Sequence, residues 1–167
     1  MANETYINKG TALLINGEVG ANYAWSIEGV ANGAGRISAQ IDLGAAPRAE
    51  WYEWSCETQF QATPTQYAGL ELYLAFAPDH DATQIDGDQG QADAAVTDGD
   101  CRYNMTPIGV VVSENAAASE KCVKSGLVHI TMRYVSVMGW NSSGASINAT
   151  DTVTRFDLRP VYNVPGA

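Results

Sequence analysis

Apolar and polar side chains alternate along three stretches of this chain. The stretches run from Arg36 to Leu43, from Trp51 to Phe60 and from Leu70 to Phe76. A period of two is typical of a strand with one buried face, because successive side chains point to opposite sides of a sheet. In the second stretch the alternation predicts that Trp54 is in the core and that Trp51 points the other way. In the first, one face is predicted to carry Ile37, Ala39, Ile41 and Leu43.

Weaker patterns predict five further strands. They lie at Ala12–Ile15, around Tyr23 to Ile27, at Ile108–Val112 as a core strand, at Leu127–Met138 as the longest strand, and at Thr152–Leu158, which Pro160 should end or mark as an edge. No long helical stripe is present, although the alanine-rich segment Asn115–Val123 is a candidate for one or two helical turns with Ser113 as cap. About eight strands without helical crossovers favour an all-β fold, a two-sheet antiparallel sandwich of jelly-roll type with under a tenth of its residues helical.

The 167 residues fit a single domain. We expect residues 1–30 to form an N-terminal arm and the first strands, and residues 31–167 to form the sandwich. An acidic loop at 77–107 interrupts the strand pattern, and loops of this length in compact domains are usually functional or disordered. The loop holds seven aspartates: Asp79, Asp81, Asp86, Asp88, Asp93, Asp98 and Asp100.

The aspartates of this loop raise the question of calcium. Three Asp-x-Asp pairs offer hard oxygen ligands at spacings that calcium tolerates, and Asp86, Asp88 and Asp93 are the best candidates. The EF-hand spacing is absent, and aspartate and glycine also favour turns on their own account. A solvated loop without metal is therefore the simpler interpretation, and no other cofactor is expected.

Charge excludes several kinds of partner. The chain carries 19 acidic and nine basic residues, a formal charge of −10. Nucleic acids and anionic lipids are bound mainly through lysine and arginine, so neither is an expected partner.

The chain shows no apolar run long enough to span a bilayer and no visible secretion signal, and we expect synthesis in a cytoplasm. Its three cysteines fit free thiols, with a Cys101–Cys122 bridge as the less favoured alternative.

Catalytic patterns are weak. Glycoside hydrolysis needs two carboxylates across a sugar bond, and Glu53, Glu57 and Glu71 fall on polar strand faces, where solvated side chains are the simpler interpretation. A nucleophile elbow, a phosphate loop and a histidine cluster are all missing, since the only histidines are His80 and His129. The sequence therefore predicts a protein that binds and does not catalyse hydrolysis.

The order of several segments resembles a group of small β-sandwich capsid cement or decoration proteins of tailed bacteriophages. The segments that carry the resemblance are Gly35–Gly44, Leu70–Leu74, the acidic Asp86–Gly90 and Asp93–Val96, then Ile108–Val112, Arg133–Val137, Trp140–Gly144 and Phe156–Val161. They are structural motifs and imply no catalytic residue. The first thirty residues match least.

This resemblance implies a virion structural protein on the outer capsid surface, made in the host cytoplasm. The resemblance implies that its partners are the major capsid protein and further copies of itself, in a trimer. Candidate contact residues are Trp51 and the N-terminal Met1 and Tyr6. The alternative is a lectin-like carbohydrate-binding module, in which Trp51 would stack on sugar. A β-sandwich glycosidase or lyase is the least favoured hypothesis.

Overall fold

Twelve strands and one 3₁₀ helix make up the described part of this computed structural model. Residues 5–16, 21–46, 48–80, 85–87, 92–114, 117–150 and 153–165 are described. The strands are β1 Thr5–Lys9, β2 Leu13–Asn16, β3 Tyr23–Ala24, β4 Ala34–Ile37, β5 Ile41–Asp42, β6 Trp51–Gln59, β7 Gly69–Ala77, β8 Ala94–Val96, β9 Thr106–Val112, β10 Lys121–His129, β11 Tyr134–Asn141 and β12 Arg155–Pro165; the 3₁₀ helix spans Gly99–Asn104.

The strands form two six-stranded sheets that pack face to face. Sheet 1 has the order β10-β6-β12-β2-β3, with β1 also paired to β12. Sheet 2 has the order β8-β4-β11-β7-β9, with β5 also paired to β11. The pairings are antiparallel apart from β2 with β3. About half of the chain is strand and about 4% is helix, which confirms the predicted all-β sandwich.

The main core lies between the two sheets and follows the predicted alternation of β6 and β7. Tyr52, Trp54 and Cys56 point inward from β6, while Leu70 and Leu72 do so from β7. Trp54 is 2% exposed and Trp51 is 46% exposed, so the assignment of these two rings to opposite faces is confirmed.

The number of strands exceeds the predicted eight partly because single predicted strands are divided. Leu127–Met138 was expected to be one strand, but it contains the end of β10 and most of β11, which belong to different sheets. The chain turns between them at 130–133, where Ile130 is fully buried and donates its backbone N–H to Glu50 O. Period two continues across this corner, so the pattern alone could not reveal it.

The prediction of one common face for Ile37, Ala39, Ile41 and Leu43 is wrong. Ile37 pairs with Met138, but Ile41 pairs with Val135, so Ser38–Gln40 holds one residue more than the opposing stretch of β11. An extra residue of this kind is a β-bulge, and it reverses the face to which later side chains point. Ile41 therefore enters the main core, whereas Ile37 packs on the outer side of sheet 2.

The sequence suggested that Pro160 ends its strand or marks it as an edge, and both expectations are wrong. β12 continues to Pro165 and is interior to sheet 1, with β6 on one side. On its other side β2 pairs with Phe156–Leu158 and β1 with Val161–Pro165. Pro160 falls in the interval between these two ladders, where its missing N–H breaks no ladder hydrogen bond.

Two further expectations are corrected at the neighbouring edge. β9 is an edge strand of sheet 2 and not a core strand, since Val111 is buried but Val110 is 39% exposed. The proposed helical turns at Asn115–Val123 are not formed in the described residues, because 117–120 makes a turn and β10 begins at Lys121. The backbone N–H of Ser119 instead donates to Phe60 O, which ties this turn to the residue that follows β6.

Much of the acidic loop is folded onto the outer side of sheet 2. Its described residues include β8 and the 3₁₀ helix, which help to enclose a second apolar cluster. The members of this second core are Ile37, Ala75, Ala77, Ile85, Val96, Met105, Met138 and Trp140. One broad face of the sandwich is thereby covered, whereas no other described segment covers the outer face of sheet 1.

Candidate functional site

The outer face of sheet 1 is a broad surface built by alternation on neighbouring strands. We call it the sheet 1 face. Register places the odd-numbered residues of three strands side by side, for example Val123 beside Glu57 and Glu57 beside Arg155. Its members are Lys121, Val123, Ser125, Leu127 and His129 of β10; Trp51, Glu53, Ser55, Glu57 and Gln59 of β6; Arg155, Asp157, Arg159 and Val161 of β12; and Lys9 and Leu14, with Glu50 at its margin.

Cross-strand ion pairs run over this face. Glu57 contacts Lys121 at 2.6 Å and Arg155 at 3.4 Å, so one carboxylate links three strands. Lys9 donates to both oxygens of Glu53, at 2.7 and 2.9 Å, and this hydrogen bond holds the pKa of Glu53 below its usual value. Exposed pairs of this kind add little stability each, so their main effect is to neutralise the face.

The charge on the sheet 1 face differs from that of the molecule. Four basic residues and four acidic residues lie on it, with Glu50 included. The whole formal charge of −10 is therefore carried elsewhere. A neutral face on a strongly acidic protein is the surface with the smallest electrostatic obstacle to contact with another macromolecule.

Four exposed apolar side chains lie on the same face. Among the large apolar residues that the structure shows exposed, Leu14, Trp51, Val123 and Leu127 belong to it. Val123 and Leu127 are 61% and 58% exposed. An exposed apolar group rimmed by polar residues is typical of an interaction surface.

Trp51 is held in place on this face by its neighbour on β10. Its ring lies 4.9 Å from the ring of His129, at an interplanar angle of 40°. Nε2 of His129 lies 3.5 Å from Oε2 of Glu50. This contact constrains Trp51 while nearly half of the residue stays open to solvent, as a preorganised contact residue requires. Met1 and the side chain of Tyr6, the other predicted contact groups, lie outside the described residues; the backbone of Tyr6 pairs with Val164.

Two of the three calcium candidates have other partners in this fold. Asp93 forms an ion pair with Arg36 at 2.7 Å and accepts the backbone N–H of Ser26 at 3.0 Å. Burial opposes ionisation of Asp93, but these hydrogen bonds outweigh it and lower its pKa. Asp86 accepts the N–H of Phe76, and Asp88 lies outside the described residues. Within the described part of the chain, no group of three or more acidic, cysteine or histidine residues is placed to hold a metal ion.

The carboxylates considered for glycoside hydrolysis are not brought together. Glu53 and Glu57 lie on the sheet 1 face, while Glu71 belongs to sheet 2. Glu71 binds Arg102 at 2.9 Å and accepts the hydroxyl of Tyr73 at 2.6 Å. Burial, reinforced by Glu71, raises the pKa of Tyr73 to about 12. The Arg102 guanidinium also lies 4.4 Å from the centre of the Trp140 ring. Because Arg102 belongs to the acidic loop, these contacts hold the loop against sheet 2.

The remaining candidates occupy structural positions. Cys101 packs against the second core and Cys122 lies in the main core, so the alternative Cys101–Cys122 bridge is not formed and both thiols are free. His80 is exposed, with its ring 5.6 Å from that of Tyr134. Over the described ranges no helix is long and apolar enough to cross a membrane.

Comparison with protein-family models and with curated proteins finds no match to this chain.

Proposed function

We propose that this protein is a non-enzymatic structural component of a tailed-bacteriophage virion, which binds the capsid shell as a cement or decoration protein through the sheet 1 face. The observation that carries the proposal is the combination, on one face, of neutral charge with Leu14, Trp51, Val123 and Leu127 exposed. The covered outer side of sheet 2 leaves this face as the broad surface available to a shell. The resemblance of the strand segments to capsid decoration proteins supplies the identity of the partner.

The chemistry of the face suits a broad protein surface. Aromatic and aliphatic anchors at the centre of an interface contribute most of the binding energy, while paired charges at the rim contribute register. Copies that bind a lattice as a trimer would each gain from the contacts of the others, because later contacts form at high effective concentration. We therefore propose that the partner is the major capsid protein. The working form would be a homo-oligomer bound to the outer capsid surface.

The test uses purified full-length protein and shells that lack it. Wild-type protein should saturate a fixed number of sites in a sedimentation or cryo-microscopy assay. Trp51→Ala and Leu127→Glu should weaken that binding by roughly tenfold or more, as expected for an anchor residue. Tyr103→Ala is the matched control, because Tyr103 is 81% exposed on the 3₁₀ helix, away from the sheet 1 face.

Three results would contradict the proposal. Absence of saturable binding by the wild-type protein would remove the capsid assignment. Equal loss on Tyr103→Ala would show that the sheet 1 face is not the contact. Binding to a soluble glycan that is abolished by Trp51→Ala would replace the proposal with the carbohydrate-binding alternative.

A further inference from the structure

A second candidate surface lies where the two sheets end on the same side of the sandwich. β10 is the last strand of sheet 1 and β9 is the last strand of sheet 2, and the two lie next to each other. A groove of about 490 Å³ opens beside them, lined by Gln66, Tyr67, Val110, Val112, Glu114, Val123 and Lys124. Neither strand has a partner on its outer edge among the described residues.

The hydrogen-bonding direction of β10 follows from its pairing with β6. Ile130 N donates to Glu50 O at 2.7 Å, so this opposite pair is a hydrogen-bonded pair of the ladder. Hydrogen-bonded and non-hydrogen-bonded pairs alternate in antiparallel sheets. The same register continues without a bulge to Lys121. The backbone N–H and C=O groups of Val123, Ser125 and Leu127 therefore point away from β6, towards the open edge.

The charges of β10 discriminate between possible occupants. The strand carries Lys121 and Lys124 and no acidic residue, while Glu114 of the neighbouring turn also lines the groove. Lys121 is paired with Glu57, but no carboxylate of the described residues forms an ion pair with the exposed Lys124. Lysine on an edge strand disfavours the pairing of that strand with other strands. The penalty is smallest for a partner strand that carries acidic side chains, because opposite charges across a strand pair attract.

A second copy of β10 fits this edge poorly. Antiparallel self-pairing centred on Ser125 would set Lys124 opposite Gly126 of the other copy. The two Lys124 side chains would then be diagonal neighbours, about 7–8 Å apart by backbone position, and would repel each other. An acidic strand avoids this repulsion and pairs with Lys124.

The groove provides room for the side chains of such a strand. Val110 and Val123 are exposed beside it, and Tyr67 is 73% exposed at its rim. Tyr67 has a φ of +64°, a conformation that bulky residues rarely adopt, and its N–H is tied to Ser113 O at 2.9 Å. Backbone in such a conformation persists only where surrounding structure fixes it, and it recurs at ligand-contacting positions.

We propose that the open edge of β10, with the adjoining groove, binds an extended acidic segment of a partner polypeptide by strand addition. The added strand would run antiparallel to β10, receive backbone hydrogen bonds from Val123, Ser125 and Leu127, and place carboxylates near Lys121 and Lys124. The proposal goes beyond capsid binding through the sheet 1 face and stands independently of it.

The test is an NMR titration of the full-length, isotope-labelled protein with a peptide probe. The probe has the sequence Thr-Val-Thr-Thr-Glu-Val-Thr-Glu with blocked ends, which sets valines opposite Leu127 and Val123 and glutamates opposite Lys124 and Lys121. Its control replaces both glutamates with lysine. The acidic probe should shift the amides of Val123, Ser125 and Leu127 and bind roughly tenfold more tightly than the control at low salt, because two charge pairs change sign.

Variants of the protein distinguish strand addition from simple charge attraction. Ser125→Pro removes an edge N–H and should abolish binding of the acidic probe, whereas Ser125→Ala keeps that N–H and should bind as wild type. Lys124→Glu, at an exposed position, should abolish the preference for the acidic probe, because each probe then meets one opposite and one like charge, and it gives a decision even if Ser125→Pro does not fold. Equal binding of both probes, shifts confined to other strands, or no shift at millimolar probe would each overturn the proposal.

Discussion

Replacement of Trp54 by alanine should be among the most destabilising single changes in this protein. The ring lies between the backbones of the two edge strands, so that a Cβ added at Gly109 or at Gly126 would meet it at 2.8 Å. It also stacks on Phe156, with ring centroids 6.0 Å apart and planes 8° from parallel. Removing the ring would leave a void that two edge strands and an aromatic neighbour cannot fill without moving.

The magnitude follows from the area that the ring buries. A buried tryptophan removes about 200 Å² from water, and at about 25 cal/mol per Å² this corresponds to about 5 kcal/mol. Measured losses for large aromatic residues replaced by alanine in cores are about 3–5 kcal/mol. If the free energy of unfolding falls by about 2 kcal/mol per molar urea, the urea concentration at the unfolding midpoint should fall by about 1.5–2.5 M.

The assay is urea unfolding followed by far-ultraviolet circular dichroism, with Trp51→Ala as the matched control. Both variants lose the same atoms from the same strand, but Trp51 is 46% exposed, so its midpoint should fall by far less. Trp54→Phe, which retains part of the packing, serves if the alanine variant does not fold. Equal shifts for Trp51→Ala and Trp54→Ala would refute the packing argument, because the two positions would then be equally important to the fold.

Two further predictions concern the loop and the N-terminal strand. Asp93→Asn should lower the free energy of unfolding by about 1–3 kcal/mol at pH 7, since it weakens the charged hydrogen bonds to Arg36 and Ser26. The folded-state pKa of Asp93 is lowered, so its contribution is present above the unfolded pKa near 3.8 and is lost as the pH falls through the folded value. The urea midpoints of both proteins should therefore approach each other as the pH is lowered below 3.8, and a gap that stays constant from pH 7 into the acid range would contradict the argument. Deletion of residues 1–9 should leave the sandwich folded by circular dichroism, because β12 keeps β6 and β2, while shell binding weakens; unchanged shell binding would show that this segment makes no contact.

The long alternating stretches were predictable from the sequence because period two is a local property. β6 and β7 follow the expected pattern, and Trp54 was assigned to the core from alternation alone. The corner at 130–133 and the bulge at Ser38–Gln40 were not predictable in this way, since both depend on which strand lies opposite. Register is a property of two segments, and a single stretch of sequence does not contain it.

The sheet 1 face was only partly predictable. The outward position of Trp51 followed from its parity with Trp54, but its contact with His129 required the pairing of β6 with β10. The neutrality of the face could also be recognised only from the strand pairing, because Glu57 is far in sequence from its partners Lys121 and Arg155. The acidic loop was recognised as irregular, yet its role as a cover for sheet 2 depended on apolar residues that are scattered along it.

The separation of a neutral face from an acidic remainder has a consequence for crowding. Any surface that receives the sheet 1 face will hold copies whose exposed flanks all carry the same sign of charge. Neighbouring copies then repel each other over a Debye length of about 8 Å at physiological ionic strength, and over longer distances in dilute buffer. The affinity of a single copy should change little with salt, whereas the density at which copies can cover the surface should rise with it.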